Sequence, residues 1–271
     1  MLTRKKIAVI GTGKLGEILI KALLEAKVIH QEQIMGADKD VFTAERKAQA
    51  HGYRSTTDNA AAARWADVII VAVRPQSMAE ALGSIKKAVH RDKLVISTAA
   101  SVSTTYIERH LQSGVPVVRA MPNTPCMLRA GMTGICPGKS AKKEHLSLAE
   151  AIFSAIGRVV VLDEKHMDAV TGLSGSGPAF MYVVLESMTE GGVAVGLPRD
   201  VATELAAQTM LGAARMVLET REHPAKLKDV VTTPAGCTID GLMELETGGL
   251  RVTLIKTVVR AAKRASELLH G

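Results

Sequence analysis

The sequence predicts a doubly wound, parallel α/β sheet followed by an all-helical domain. Up to about residue 162, short β-branched runs alternate with longer amphipathic stretches. A glycine-rich segment joins the first of these runs to the first helix, and strand signals stop after residue 163. Strand–helix alternation of this kind is typical of a sheet that is covered by helices on both faces. We therefore expect a sheet domain at residues 1–162 and a helical domain at residues 163–271.

The strands are predicted from unbroken apolar runs and the helices from the amphipathic segments between them. The predicted strands are Lys6–Ile10, Gln33–Ala37, Val68–Val73, Leu94–Ser97, Val117–Ala120 and Arg158–Leu162. The helices predicted between them are Lys14–Lys27, Val41–His51, Met78–Val89, Thr104–His110 and Lys142–Ala155. The helices predicted after residue 163 are Pro178–Val195, Arg199–Thr220, Pro224–Val230, Thr238–Glu246 and Leu250–Leu269.

Two of the late helices are too apolar for a small domain that stands alone. The segment Ala179–Leu185 is apolar around its whole circumference, and Arg199–Thr220 carries two apolar rows. A helix without a polar face is buried on all sides, and roughly 100 residues rarely bury that much surface by themselves. We expect a homodimer through these helices in preference to cover from the first domain.

Composition narrows the classes of function. The 271 residues are 47% hydrophobic and 23% charged, which indicates a folded globular protein, and the 3% aromatic content disfavours the stacking platforms of RNA-binding sheets. The net charge of +7 is scattered, so we expect a basic surface and no nucleic-acid partner. No apolar stretch approaches the ~20 residues of a membrane helix. Three cysteines without ligand spacing predict a cytoplasmic protein with no metal site.

The glycine-rich segment predicts a dinucleotide site. Gly11, Thr12, Gly13, Lys14, Leu15 and Gly16 form a G-x-G-x-x-G that follows the first strand and opens a helix. Asp38 comes 22 residues after Gly16, at the end of the second strand. This context is the Rossmann fingerprint, in which backbone N–H groups at the helix N-terminus bind pyrophosphate. NAD(P)H is therefore the predicted cofactor.

Asp38 favours NADH over NADPH, because a carboxylate there accepts ribose hydroxyls and repels a 2′-phosphate. Lys39 and Arg46 leave NADPH open, since either side chain could reach a phosphate. Further cofactor contacts are expected where strands end, because the carboxyl ends of parallel strands form the ligand crevice. These contacts are Ala72, Val73, Arg74, Pro75, Ala99, Ala100 and Asn123.

Two later loops of small and hydroxyl residues open helices, at Leu173–Pro178 and Thr232–Thr238. Such loops expose backbone N–H groups to an anion, and a substrate carboxylate is the anion expected in the second loop. Two ordinary helix starts explain the residues equally well, so the residue pattern alone leaves both interpretations open.

Several segments resemble the pyrroline-5-carboxylate reductase family. The resemblance spans nearly the whole chain, and its clearest segments are Arg119–Pro125, Val170–Pro178, Met216–Pro224, Leu227–Asp229 and Thr233–Gly241. It implies a Rossmann domain, a helical dimerisation domain and dimers that assemble further into rings in some members. It also implies hydride transfer from NAD(P)H to the cyclic imine 1-pyrroline-5-carboxylate, which gives L-proline as the last step of proline biosynthesis.

The resemblance also implies roles for individual residues. Thr238 is the expected catalytic residue, because it resembles the threonine whose hydroxyl bonds the ring nitrogen. Thr233, Gly236 and Cys237 fall in the loop that holds the substrate carboxylate, and Glu164 falls where a family glutamate lies near the substrate. Asn59 resembles an asparagine that contacts the cofactor.

The chain departs from the family pattern at three positions. Ala235 stands where the family usually has glycine, which narrows the backbone freedom of the loop. Cys237 replaces a small or hydroxyl residue, and we expect it to be a packed, inert thiol. Arg74 replaces a lysine. The first two changes leave the exact imine less certain than the reaction class.

Two alternatives remain open on the sequence. One is a related imine or β-hydroxyacid dehydrogenase with a different small carboxylate substrate, although Leu173–Gly192 lacks the lysine and asparagine on which β-hydroxyacid dehydrogenases rely. The other is a non-enzymatic module that binds NAD as a signal. The net charge motivates this second alternative, but no helix-turn-helix, zinc finger or aromatic platform supports it.

Overall fold

A computed structural model describes residues 2 and 4–267. Its strands are β1 (Ile7–Ile10), β2 (Ile34–Ala37), β3 (Arg54–Thr56), β4 (Val68–Val71), β5 (Leu94–Ser97), β6 (Val117–Met121), β7 (Gly131–Pro137) and β8 (Gly157–Val161). Its helices are α1 (Lys14–Glu25), α2 (Val41–His51), α3 (Asn59–Trp65), α4 (Met78–Ile85), α5 (Thr104–His110), α6 (Lys143–Ser154), α7 (Met167–Val170), α8 (Gly177–Ala194), α9 (Arg199–Thr220), α10 (Pro224–Val230), α11 (Cys237–Thr247) and α12 (Leu250–Glu267). The last two residues of the predicted final helix, Leu268 and Leu269, lie outside the described residues.

Within the described residues, eight strands form one sheet in the order β3-β2-β1-β4-β5-β6-β7-β8. The sheet is parallel from β3 to β6, as predicted. β3 and β7 were not predicted from the sequence. β7 runs antiparallel to β6, and β8 runs parallel to β7. Arg54–Thr56 is too short to give a pattern, and two glycines and a terminal proline weaken the strand signal of Gly131–Pro137. The predicted parallel sheet therefore needs correction at β7 and β8.

The two faces of the sheet bury separate apolar cores. Alternate residues of β1 point to opposite faces, so Ile7 and Val9 join one core while Ala8 and Ile10 join the other. All four residues of β1, β4 and β5 are buried. The core is aliphatic, as the low aromatic content requires. Because the central strands are buried in it, they hold the loops that follow them in place.

Side-chain caps determine where several helices of the sheet domain begin. Asp40 accepts a hydrogen bond from the N–H of Phe42 at the start of α2, and Asp58 accepts one from the N–H of Ala61 in α3. The chain leaves α2 through Gly52 at φ 75°, the left-handed conformation that favours glycine. The predicted bounds of α2 are therefore reproduced by the structure.

The chain divides into two compact units. Within the described residues, the first runs through Ser176 and takes in Arg260–Glu267 of α12, and the second is Gly177–Val259. In the second unit many large apolar side chains are exposed, including Tyr182 at 63% and Val183 at 62%. The segment Ala179–Leu185 of α8 was predicted to be buried on all sides, yet several of its side chains are exposed in the described chain. That another surface covers α8 therefore stays a prediction. No helix within the described part of the chain has the length and apolar character needed to cross a membrane.

Candidate active site

A cavity of about 340 Å³ opens at the carboxyl ends of β1, β2 and β4. Residues predicted for the cofactor line it together. They are Gly11, Gly13, Asp38, Lys39, Asn59, Ala72, Val73 and Arg74, joined by Ile10, Ala37, Ser77, Glu80, Ala81 and Ser84. The cavity lies where strands of a parallel sheet end, which is the position that such sheets use for ligands.

The glycines of the fingerprint serve distinct purposes. Gly11 has φ +89°, and a Cβ there would lie 2.8 Å from Cγ1 of Val73 and 2.9 Å from the carbonyl oxygen of Ala72. A Cβ on Gly16 would lie 2.1 Å from the carbonyl oxygen of Gly11, so only glycine lets α1 pack this closely. A Cβ on Gly13 would meet nothing within 4 Å. Gly13 therefore leaves open space in front of the α1 N-terminus, where an anion can approach the backbone.

Behind the cavity, polar side chains tie the glycine loop to α1, α2 and the end of β2. The Asp38 carboxylate accepts hydrogen bonds from the backbone N–H and the hydroxyl of Thr12, at 2.9 and 3.2 Å. Lys47 of α2 donates to the carbonyl oxygen of Thr12 and pairs with Glu17 of α1 at 2.9 Å. Burial raises the pKa of Glu17, but Lys47 and His51 outweigh it and leave that pKa below its usual value.

Sequence reasoning missed the contribution of α4 to the cavity. Ser77, Glu80 and Ser84 line it, and the side-chain amide of Asn59 donates to the hydroxyl of Ser84 at 3.0 Å. Glu80 and Ser84 lie four residues apart and so share a face of α4. That spacing was the available signal, although it occurs on many exposed helix faces.

The remaining predicted cofactor residues do not line this cavity. They are Thr12, Lys14, Leu15, Gly16, Pro75, Ala99, Ala100 and Asn123. Thr12 is fully buried behind the loop. The side-chain amide of Asn123 lies between β7 and the π-helical turn Thr171–Gly175, because it accepts from the N–H of Met132 at 2.8 Å and donates to the carbonyl oxygen of Ser174 at 3.1 Å.

Glu164 belongs to a charged cluster centred on Arg119. The Arg119 guanidinium is buried and lies 3.1 Å from Asp168 and 3.7 Å from Glu164. The Glu164 carboxylate also accepts from the N–H and the hydroxyl of Thr104 at 2.6 and 2.7 Å, at the start of α5. Glu164 therefore joins the linker after β8 to β6 and α5 within the first unit.

In the second unit, Thr233–Gly236 forms a tight turn. The N–H of Gly236 donates to the carbonyl oxygen of Thr233 at 3.1 Å, and Ala235 has φ +57°. Proline second and a positive φ third are the features of a type II turn, which favours glycine at the position that Ala235 occupies. The turn leads directly into α11.

The first N–H groups of α11 have no partner within the helix, because the first turn of any helix lacks one. Gly236 is the N-cap residue and supplies no side-chain cap. Thr238 is half-buried on the first turn. Cys237 is exposed in the described chain, which corrects the expectation of a packed thiol.

Comparison with known proteins places these features in one family. Residues 164–268 match the model of the pyrroline-5-carboxylate reductase dimerisation domain, and residues 6–101 match a model described as an NADP oxidoreductase, coenzyme F420-dependent. The chain is 45% identical over 268 residues to a pyrroline-5-carboxylate reductase of Methanosarcina acetivorans, covering 98% of this chain and 99% of that protein. The chain belongs to the pyrroline-5-carboxylate reductase family.

Solved structures of the family agree with this assignment. A pyrroline-5-carboxylate reductase from Coxiella burnetii is 34% identical, with a TM-score of 0.89 over 97% of this chain and 98% of that chain. The Plasmodium falciparum pyrroline carboxylate reductase, solved with NADP bound, is 28% identical, with a TM-score of 0.89 over 99% of this chain and all of that one. The predicted fold class is confirmed, and the chain carries an NAD(P)-binding domain of an oxidoreductase.

Proposed function

We propose that this protein reduces 1-pyrroline-5-carboxylate to L-proline with a reduced nicotinamide nucleotide, the last step of proline biosynthesis. The observation that carries the proposal is the 45% identity to a pyrroline-5-carboxylate reductase over 98% of the chain. The same match favours this reaction over the β-hydroxyacid dehydrogenase and the non-enzymatic binder. The cavity and the turn before α11 support it with sites for the cofactor and for a carboxylate.

The cavity residues fit a dinucleotide. Gly11 and Gly16 permit the tight loop, while Gly13 opens the α1 N-terminus to a pyrophosphate. Asp38 lies at the end of β2 and lines the cavity, which supports its predicted contact with the adenosine ribose hydroxyls. The bound nicotinamide nucleotide supplies the hydride, and the chain binds and orients it.

We further propose a preference for NADH. Asp38 brings a carboxylate to the place where NADPH carries its 2′-phosphate, and juxtaposed like charges cost several kcal/mol. Lys39 lines the same cavity and keeps NADPH usable. We expect Asp38→Ser to lower the ratio of kcat/KM for NADH to that for NADPH by roughly tenfold or more. An unchanged ratio would remove Asp38 from cofactor selection.

The turn before α11 suits a substrate carboxylate. Thr233, Gly236 and Cys237 border the free N–H groups of the first helical turn, where the helix dipole favours an anion. The hydroxyl of Thr238, on the same turn, is assigned to the ring nitrogen of the imine, which it would orient for hydride transfer. The protonated imine is already electrophilic, so the main contribution expected of the protein to catalysis is to position it for hydride transfer. Glu164 stays a predicted substrate residue. In the structure its carboxylate accepts hydrogen bonds from Thr104.

A homodimer is proposed from the helical unit. A cavity of about 430 Å³ in that unit is lined largely by apolar side chains of α8, α11 and α12, among them Phe180, Leu245 and Leu254. Exposed apolar surface of this extent favours association, and the matched family model is that of a dimerisation domain. A ring of dimers and a cytoplasmic location stay predictions. Light scattering after gel filtration measures the number of subunits.

The decisive experiment measures oxidation of NADH and NADPH with 1-pyrroline-5-carboxylate and with its six-membered homologue. In parallel it measures reduction of NAD+ and NADP+ by a 3-hydroxy acid, because a β-hydroxyacid dehydrogenase takes hydride from that substrate. We expect turnover with the five-membered imine. Turnover with the 3-hydroxy acid alone would overturn the proposal.

Thr238→Ala tests the assigned role of the hydroxyl. We expect it to lower kcat roughly tenfold to a hundredfold, the range for a lost hydrogen bond to a charged group, while the Kd for NADH is unchanged. Thr238→Ser is the matched control and should retain turnover. Near-normal turnover of Thr238→Ala would exclude the hydroxyl from the mechanism.

A further inference from the structure

We propose that Thr12 is a positioning residue that fixes the orientation of the Asp38 carboxylate and thereby sets the choice between NADH and NADPH. The proposal deepens the proposed function and rests on it, since it assumes that the cavity receives a nicotinamide nucleotide. Thr12 is the second residue of the glycine fingerprint, where the pattern itself places no demand on the side chain.

The Asp38 carboxylate is held from one side. Its Oδ2 accepts from both the N–H and the hydroxyl of Thr12, at 2.9 and 3.2 Å. Its Oδ1 accepts from the N–H of Asp40 at 3.3 Å. Hydrogen bonds to an ionised acceptor are the stronger ones, so the two bonds from Thr12 determine which way the carboxylate faces. Oδ1, with only the longer bond, is left as the oxygen with spare capacity for ribose hydroxyls.

Thr12 is itself held firmly. It is fully buried, and its carbonyl oxygen accepts from Lys47 of α2. Lys47 is almost buried, with 11% of its side chain exposed, and its ion pair with Glu17 of α1 keeps the ammonium in place. Two helices therefore fix the backbone of Thr12, so motion of the loop is a poor explanation for any change in how Asp38 points.

The residues beneath Thr12 leave its side chain no other place. A Cβ on Gly36 would lie 2.7 Å from Cγ2 of Thr12 and 2.7 Å from the ring of Tyr53. The methyl group of Thr12 therefore fills the space above Gly36 and beside Tyr53, and the hydroxyl is turned toward Asp38. Threonine fits both requirements, since it combines an apolar contact below with a hydrogen-bond donor above.

Removing the hydroxyl alone should loosen the carboxylate without emptying the space. Thr12→Val keeps the shape and the backbone N–H but loses one of the two bonds that Thr12 gives to Oδ2. A carboxylate free to rotate binds the ribose 2′-hydroxyl less well and repels a 2′-phosphate less. The ratio of kcat/KM for NADH to that for NADPH should then fall roughly threefold to tenfold, a part of what one charge-assisted hydrogen bond is worth.

The experiment compares purified full-length wild type, Thr12→Val and Thr12→Ser, with both cofactors and 1-pyrroline-5-carboxylate. Thr12→Ser keeps the hydroxyl and should stay within about twofold of the wild-type ratio. Thr133→Val, at a buried threonine of β7, is the matched control and should leave the ratio unchanged. If Thr12 had a merely structural role, its loss would lower kcat/KM for both cofactors alike and leave their ratio unchanged. A change in the ratio therefore distinguishes positioning from a structural role.

Each outcome decides the proposal. Added to Asp38→Ser, Thr12→Val should cause no further fall in the ratio, because the group it positions is gone. The proposal would be overturned if Thr12→Val lowered kcat/KM equally with both cofactors. It would also be overturned if Thr12→Val lowered the ratio further in the Asp38→Ser background. The wild-type preference is a separate result: a wild type that favours NADPH refutes the proposed NADH preference, whereas the role of Thr12 is judged from the change that Thr12→Val causes.

Discussion

Replacing Ala235 with glycine should stabilise the protein, although glycine usually destabilises. Ala235 lies third in the turn Thr233–Gly236 and has φ +57°. In this left-handed region the Cβ of an L-residue crowds the following carbonyl group, which costs about 1–2 kcal/mol. Glycine has no Cβ and removes that cost. The perturbation therefore relieves a strain that the structure locates at one residue.

The gain is smaller than the strain, because glycine also stabilises the unfolded chain. Its greater freedom when unfolded offsets about 0.4–1 kcal/mol. The net increase in the free energy of unfolding is therefore about 0.5–1 kcal/mol, which raises the thermal midpoint by about 2 °C for a chain of this size. The turn already has the conformation that glycine prefers, so we expect KM for the imine to stay within about twofold.

Urea and thermal unfolding of Ala235→Gly measure this difference. The matched control is Ala50→Gly, at an exposed residue within α2, where glycine should lower stability by up to about 1 kcal/mol. The two variants make the same chemical change with opposite expected signs. If both lower stability by similar amounts, the turn does not hold Ala235 in the left-handed region and the reasoning fails.

Three further predictions concern charged and thiol groups. Arg119→Met should cost about 2 kcal/mol in urea unfolding, because it strips a buried partner from two half-exposed carboxylates; a cost near zero would show that the cluster contributes nothing. Burial raises the pKa of Cys126 to about 11 and that of Cys136 to about 12, so iodoacetamide at pH 8 should label Cys237 alone before unfolding, and labelling of two thiols would contradict this. The pKa of Glu17 is lowered in the folded protein, so the stability that its carboxylate contributes is present above about pH 4.5 and is lost as the pH falls through the folded pKa. Glu17→Gln should therefore reduce the loss of stability in acid. If that loss is unchanged, the ion pair of Glu17 with Lys47 does not contribute to it.

The cofactor cavity could be anticipated from sequence because its main signals are local. The fingerprint Gly11–Gly16 is contiguous, and Asp38 lies at a fixed position in the second strand of the same βαβ unit. The loops at the carboxyl ends of neighbouring parallel strands meet at one edge, so Val73 and Arg74 could be added from strand order alone. The structure brings Gly11, Gly13, Asp38, Val73 and Arg74 to one cavity, while their contacts with a nucleotide stay a prediction.

The missed features depend on contacts between residues far apart in the chain. Gly131–Pro137 becomes a strand because β6 and β8 supply its hydrogen bonds on both sides, which overrides its weak propensity. The Arg119 cluster joins residues 45 and more positions apart, and no spacing rule reports such a pair. The bonds from Thr12 to Asp38 arise the same way, from the close approach that Gly36 permits. Local patterns predict the elements, whereas these contacts are known only from the fold.

The two proposed binding loops share one physical device. Three other helices, α2, α3 and α5, begin behind a side-chain cap, since Asp40, Asp58 and Ser103 each accept a hydrogen bond from the first turn of their helix. The helices α4, α7 and α9 begin without such a cap, but none of them has glycine at the N-cap. The helices at the two loops begin at Gly13 and Gly236, which supply no such bond. Glycine at an N-cap costs only a few tenths of a kcal/mol against the best cap, so the chain leaves these N–H groups free at little cost. An anion that arrives there would complete the first turn of the helix, so we expect the backbone N–H groups to contribute to binding a pyrophosphate at one loop and a carboxylate at the other.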